Sequence, residues 1–148
     1  MTRISAAKSL RDRAEKLALD SGAERYLDFL RNYSDVCFSV HRTENYQLVL
    51  ENANLNDWVF FKILSSAYVF IVGKVKELDS LVLVRHIQDA PYRSPEAASV
   101  LHWFSQPDWS KHLNVHRQFI VEQLIRVSEL SEKDAVKYFE VGFMNYLA

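Results

Sequence analysis

Apolar residues occupy twelve of the fifteen positions from Trp58 to Val72, and Lys62 is the one charge among them. A membrane-crossing helix needs roughly 20 such residues, so this run is expected to form the centre of a folded core rather than a span. On either side the apolar positions recur at helical spacing. Ile4, Ala7, Leu10, Ala14, Leu17 and Ala18 predict a first helix over Ile4 to Leu19, closed by Asp20, Ser21 and Gly22. Tyr26, Leu27, Leu30 and Tyr33 predict a second, starting at Ala23. Ser94, Pro95 and Glu96 supply an N-cap, a first-turn proline and an acidic first turn for a short helix through Ala97, Ala98, Leu101 and Phe104. A longer helix opens near Pro107 or Asp108 and carries Trp109, Leu113, His116, Ile120, Leu124, Val127 and Leu130 at spacings of three and four. Ser131 with Asp134 resembles a capping box in which Asp replaces Glu, and it opens a last helix through Ala135, Tyr138, Phe139, Phe143, Tyr146 and Leu147.

The middle of the chain carries two periodicities. Val36, Phe38 and Val40 alternate with Cys37, Ser39 and His41, and Tyr46, Leu48 and Leu50 alternate with Gln47, Val49 and Glu51. Separated by Arg42, Thr43, Glu44 and Asn45, the two runs predict a β-hairpin at 36–51. Beyond it, Lys62, Ser65, Ser66, Gly73, Lys76, Glu77 and Ser80 fall at helical spacing, and Asp57 is placed as an N-cap. The expected fold is therefore mainly α: a compact helical bundle, one domain over 1–148, around a buried central segment 57–88. The alternative is α+β, with an antiparallel meander over 36–87 flanked by N- and C-terminal helices.

Composition sharpens the helical reading. Only three glycines and three prolines occur in 148 residues, and two-residue hairpin loops usually need Gly or Asn at positive φ. A net charge of −1 gives the whole molecule no attraction for nucleic acid or anionic lipid. Cys37 is the single cysteine, so no internal disulfide and no thiolate-rich zinc site can form. That usage fits a cytoplasmic protein. The first residues lack a continuous apolar stretch, so neither a secretory signal nor a membrane anchor is expected.

Candidate chemistry is sparse. His112 and His116 stand four apart on one helix face with Asp108 a turn earlier, a spacing that lets all three reach one metal ion. The metalloprotease motif needs Glu after the first His, where this chain has Leu113. His116 also lies on the apolar stripe, where a core histidine bonded to a backbone carbonyl is the simpler assignment. His41, Arg42 and Thr43 form half of a paired His-x-Thr phosphoesterase signature, and no other histidine has Thr two places on. The Arg-to-His spacing that marks the HEPN helical nucleases is absent. Phe143, Met144, Asn145, Tyr146 and Leu147 resemble the C-terminal segment of the SecB export chaperones, which implies polypeptide binding. The two N-terminal helices and the uninterrupted helix from Asp108 to Leu130 depart from that family's strand-meander pattern.

Two binding surfaces follow from residue type. Arg3, Lys8, Arg11, Arg13 and Lys16 make the first helix basic enough to lie along phosphates, with Asp12 and Glu15 offsetting part of the charge. Tyr92, Arg93, Trp103, Phe104 and Trp109 gather the residue types that dominate protein interfaces, in a segment stiffened by three prolines. The expected function is a non-enzymatic protein-binding or regulatory module of inhibitor, immunity or adaptor type, without a cofactor. Its partner is another protein or a second copy of the chain. The alternatives are nucleic-acid binding through the first helix and metal-dependent catalysis through the His112/His116 pair.

Overall fold

The computed structural model describes residues 21–33, 36, 39–53, 58–75 and 103–148, with the backbone alone at 58 and 59. They form five α-helices: α1 Gly22–Arg31, α2 Thr43–Asn52, α3 Trp58–Val72, α4 Trp109–Ser128 and α5 Glu132–Leu147. The fold is a mainly α bundle, and no strand occurs among the described residues. No described helix is long and apolar enough to cross a membrane.

Helix α3 is the central element. Apolar on nearly every side, it can be stable in water only if other helices surround it, and α1, α2 and α4 all pack against it. Phe60, Phe61, Ile63, Leu64, Ala67, Tyr68, Phe70 and Ile71 are buried. Ser65 and Ser66, expected on a polar stripe, are buried as well. Each has a partner, Ser65 Oγ donating to the Lys62 carbonyl at 3.2 Å within the helix and Ser66 Oγ accepting from the distant Val36 amide at 3.3 Å.

Helices α3 and α4 run in the same sense, since Phe60 at the start of α3 meets His112 and His116 in the first half of α4 and Tyr68 meets Phe119 farther along. Their far ends converge on the first turn of α1. There Arg25, itself buried, donates from Nε to the Phe70 carbonyl at 2.8 Å and from Nη2 to the Ile71 carbonyl at 2.9 Å. The Ala23 amide donates to Ser128 Oγ at 3.0 Å, joining α1 to the last residue of α4, while Ser21 caps α1 through the Ala23 and Glu24 amides. Gly22 permits this approach, because a Cβ there would lie 2.5 Å from the Ile71 carbonyl oxygen.

Helix α4 ends at Glu129, in the left-handed region at φ 53. After this reversal, Ser131 starts α5 as expected: its Oγ accepts from the Asp134 amide at 3.2 Å and donates to Asp134 Oδ2 at 2.6 Å. Helix α5 then closes the bundle against α1 and α4. At Gly142 the α5 backbone sits on the Tyr26 ring, where a Cβ would come within 2.5 Å of Cε1.

Two sequence expectations need correction. The hairpin at 36–51 does not form over its second half, because Thr43–Asn52 is helical. The same residues satisfy a helical pattern, and burial shows which one won: Val49, on the polar side of the alternation, is 2% exposed, whereas Leu50, on its apolar side, is 38% exposed. Within the central segment 57–88, helix α3 ends at Val72, where the Gly73 amide closes onto the Val69 carbonyl at 3.1 Å, and 76–88 lie outside the described residues. The meander alternative fails at α2 and α3 for the same reason. Asp57, the first helix over Ile4 to Leu19 and the helix proposed after Ser94 lie outside the described residues, save Trp103 and Phe104, which form a helical turn.

Replacing Gly142 by Ala is expected to cost about 1–3 kcal/mol through overpacking against Tyr26, read as a lower urea midpoint with unchanged slope. Arg25→Met, which keeps the stem and removes the donors, is expected to lower stability by about 2–3 kcal/mol in the same assay.

Candidate functional site

Where α2 ends, a cleft of about 210 Å³ opens between three helices. Asn52 and Ala53 form its α2 side, Phe60 and Leu64 come from α3, and Lys111, His112, Val115 and His116 come from α4. Their positions follow from local structure. Asn52 is held at the α2 terminus by donating from Nδ2 to the Leu48 carbonyl at 2.8 Å. Lys111, His112, Val115 and His116 are spaced by one, three and four, which puts them on adjoining strips of a single helix face. Phe60 and Leu64 are buried and His116 is 2% exposed, so they form the floor; Val115 is 49% exposed and stands at the mouth.

The floor is aromatic. The Phe60 ring lies 5.3 Å from His116 and 6.3 Å from His112, and Phe139 packs 5.8 Å from His116 on the far side. Burial among these rings lowers the His116 pKa from 6.5 to about 3, because a charged imidazolium loses its hydration there. His116 is therefore neutral at physiological pH. Its Nδ1 is buried without a hydrogen-bond partner among the described residues, none of which supplies that nitrogen with the backbone carbonyl expected for a core histidine.

The residues singled out from sequence separate in space. Trp103 is 2% exposed and stands edge-on to Phe60 at 4.2 Å, with Phe143 at 6.1 Å. Its ring closes the core behind the cleft floor. Phe104 and Trp109 are half-buried and pack edge to face at 5.0 Å. Tyr92 and Arg93, like Arg3, Lys8, Arg11, Arg13 and Lys16, lie outside the described residues. His112 and His116 do share the cleft, while Asp108 is exposed at the start of α4. The described residues contain no group of three or more His, Cys, Asp or Glu placed to hold a metal ion.

Sequence reasoning missed Phe60, Leu64, Lys111 and Val115. Phe60 and Leu64 are indistinguishable from their neighbours inside a continuous apolar run. Val115 did carry a signal: it is an apolar residue off the stripe formed by Trp109, Leu113, His116 and Ile120.

Comparisons of the chain with protein families, with curated proteins and with solved structures found no match. The cleft is thus interpreted from its own chemistry: an apolar and aromatic floor, a neutral buried imidazole and one lysine at the rim.

The lowered His116 pKa links stability to pH. The unfolded chain binds a proton near pH 6.5 that the folded chain refuses until about pH 3, so this contribution is complete above pH 6.5 and is lost as pH falls below it. Between pH 7.5 and 5.5 the wild type is expected to lose about 1.4 kcal/mol more than His116→Phe, measured by urea unfolding at both pH values.

Proposed function

We propose that this protein is a non-enzymatic binding module that takes an apolar side chain of a partner protein into the cleft between α2, α3 and α4. The observation that carries the reading is the cleft itself, whose volume of about 210 Å³ is below the roughly 300–1,000 Å³ usual for small-molecule and cofactor pockets. A cleft of that size suits one anchoring side chain. Phe60 and Leu64 offer it a dry floor, and Val115 extends the apolar contact outward. Buried anchors of this kind supply most of the energy of many interfaces. Lys111 at the rim favours an acidic residue beside the anchor, contributing to orientation more than to affinity.

The regulatory character belongs to the same reading: a module that occupies a partner's surface acts as inhibitor or adaptor. A cytoplasmic setting is supported by the single cysteine. The binding surface is shifted from the earlier aromatic set, since Trp103 packs inside and its truncation would disturb the core rather than a contact.

Val115→Asp places a charge at the cleft mouth without touching the core. It is expected to weaken partner capture at least tenfold, while Asn114→Asp, on the exposed neighbouring position, leaves it unchanged. Quantitative pull-down with both variants beside wild type checks this, and equal capture by all three would remove the cleft from the interface.

A further inference from the structure

We propose that the partner is a second copy of this chain, whose α5 lays Met144 into the cleft; the inference rests on the docking reading above and adds the identity of the partner. Helix α5 buries Ala135, Phe139, Gly142 and Phe143 on one side and leaves Lys137, Glu140, Val141 and Met144 exposed on the other. Met144 is 65% exposed. An unbranched methionine adapts to a narrow apolar opening and packs its sulfur well against aromatic rings, and the cleft floor offers the ring of Phe60. Val40 is more exposed still, but it is followed by His41 and the exposed Arg42, which would set a cation against Lys111.

Charge complementarity selects the occupant. Asp108, Lys111, His112 and Val115 follow one another along one face of α4, and Lys137, Glu140, Val141 and Met144 follow one another along α5 at the same steps. Steps of three, four and seven residues are those of the seam between parallel packed helices. Laid parallel in that register, Lys137 of the second copy meets Asp108, Glu140 meets Lys111, Val141 meets the half-buried His112, and Met144 meets Val115 at the cleft mouth. Both charged pairs are opposite in sign, and the apolar residues coincide. Sliding α5 forward by one turn sets Lys137 on Lys111, and reversing its direction sets Met144 on Asp108, so the charges fix one register. Exposed ion pairs add little affinity; most of it comes from Met144 in the cleft. The two rows lie on different helices, so the contact is heterologous and copies add head to tail.

Sedimentation velocity of the full chain between about 10 µM and about 1 mM is expected to show a rise from single-chain mass to larger assemblies. A single-chain mass throughout overturns the self-docking and leaves the docking reading to the pull-down above. Met144→Asp and Val115→Asp, both at exposed positions, are each expected to weaken association about tenfold. Mixed in equal amounts, they are expected to form a two-chain complex and nothing larger, since one brings an intact cleft and the other an intact α5 face. A mixture that stays at single-chain mass overturns the proposal. Association lost in Val115→Asp but kept in Met144→Asp overturns α5 as the occupant and leaves the cleft standing; association kept in Val115→Asp does not use the cleft and overturns the proposal. Lys111→Glu is expected to weaken association about fivefold and the further change Glu140→Lys to restore it, and absence of that rescue overturns the register.

Discussion

The buried guanidinium of Arg25 on the carbonyls of Phe70 and Ile71 is the junction on which the remaining packing depends. The last carbonyls of any helix lack intrahelical donors, and those of Phe70 and Ile71 belong to buried residues in the last turn of α3. Arg25 answers two needs together: it supplies donors in a fork, and it sets a positive charge at the negative end of the helix dipole. The contact requires α1 to start almost on top of the α3 terminus. Gly22 allows this because the Ile71 carbonyl oxygen occupies the space a side chain would need. Ser128 then receives the Ala23 amide, so α1, α3 and α4 are registered at one point.

From that point the rest is constrained by length and by shape. Helix α5 follows α4 after a turn of three residues and must return along α1, which Gly142 permits by letting the backbone rest on Tyr26. Helix α2 packs on α3 and α4. At ten residues it spans about 15 Å, against about 30 Å for the twenty-residue α4. It covers only part of α4, and the cleft opens where it stops, beside Val115. The site is thus a consequence of unequal helix lengths on a shared central helix.

His116 shows how one residue type changes meaning with its surroundings. As one of two histidines four apart it has metal-ligand spacing; packed against Phe60 and Phe139 it is a neutral ring in the core wall. Desolvation decides this, since it favours the uncharged imidazole. The same burial leaves Nδ1 without a partner among the described residues.

The chain by itself determined α1, α4 and α5, whose apolar spacing is a local property: Ser131 with Asp134 marks the start of α5 directly, and Trp109 to Val127 spells out one side of α4. It determined as well that Trp58 to Val72 lies inside, because no exposed element tolerates so many apolar residues. Tertiary structure decided the choice between strand and helix at Tyr46 to Leu50, where both periods fit the same letters and only packing against α3 and α4 selects Val49 for burial. It alone decided that Trp103 faces the core and that Asn52, Phe60 and Val115 share a cleft. These outcomes depend on where separate helices end relative to one another, and that is set by contacts between residues distant in sequence.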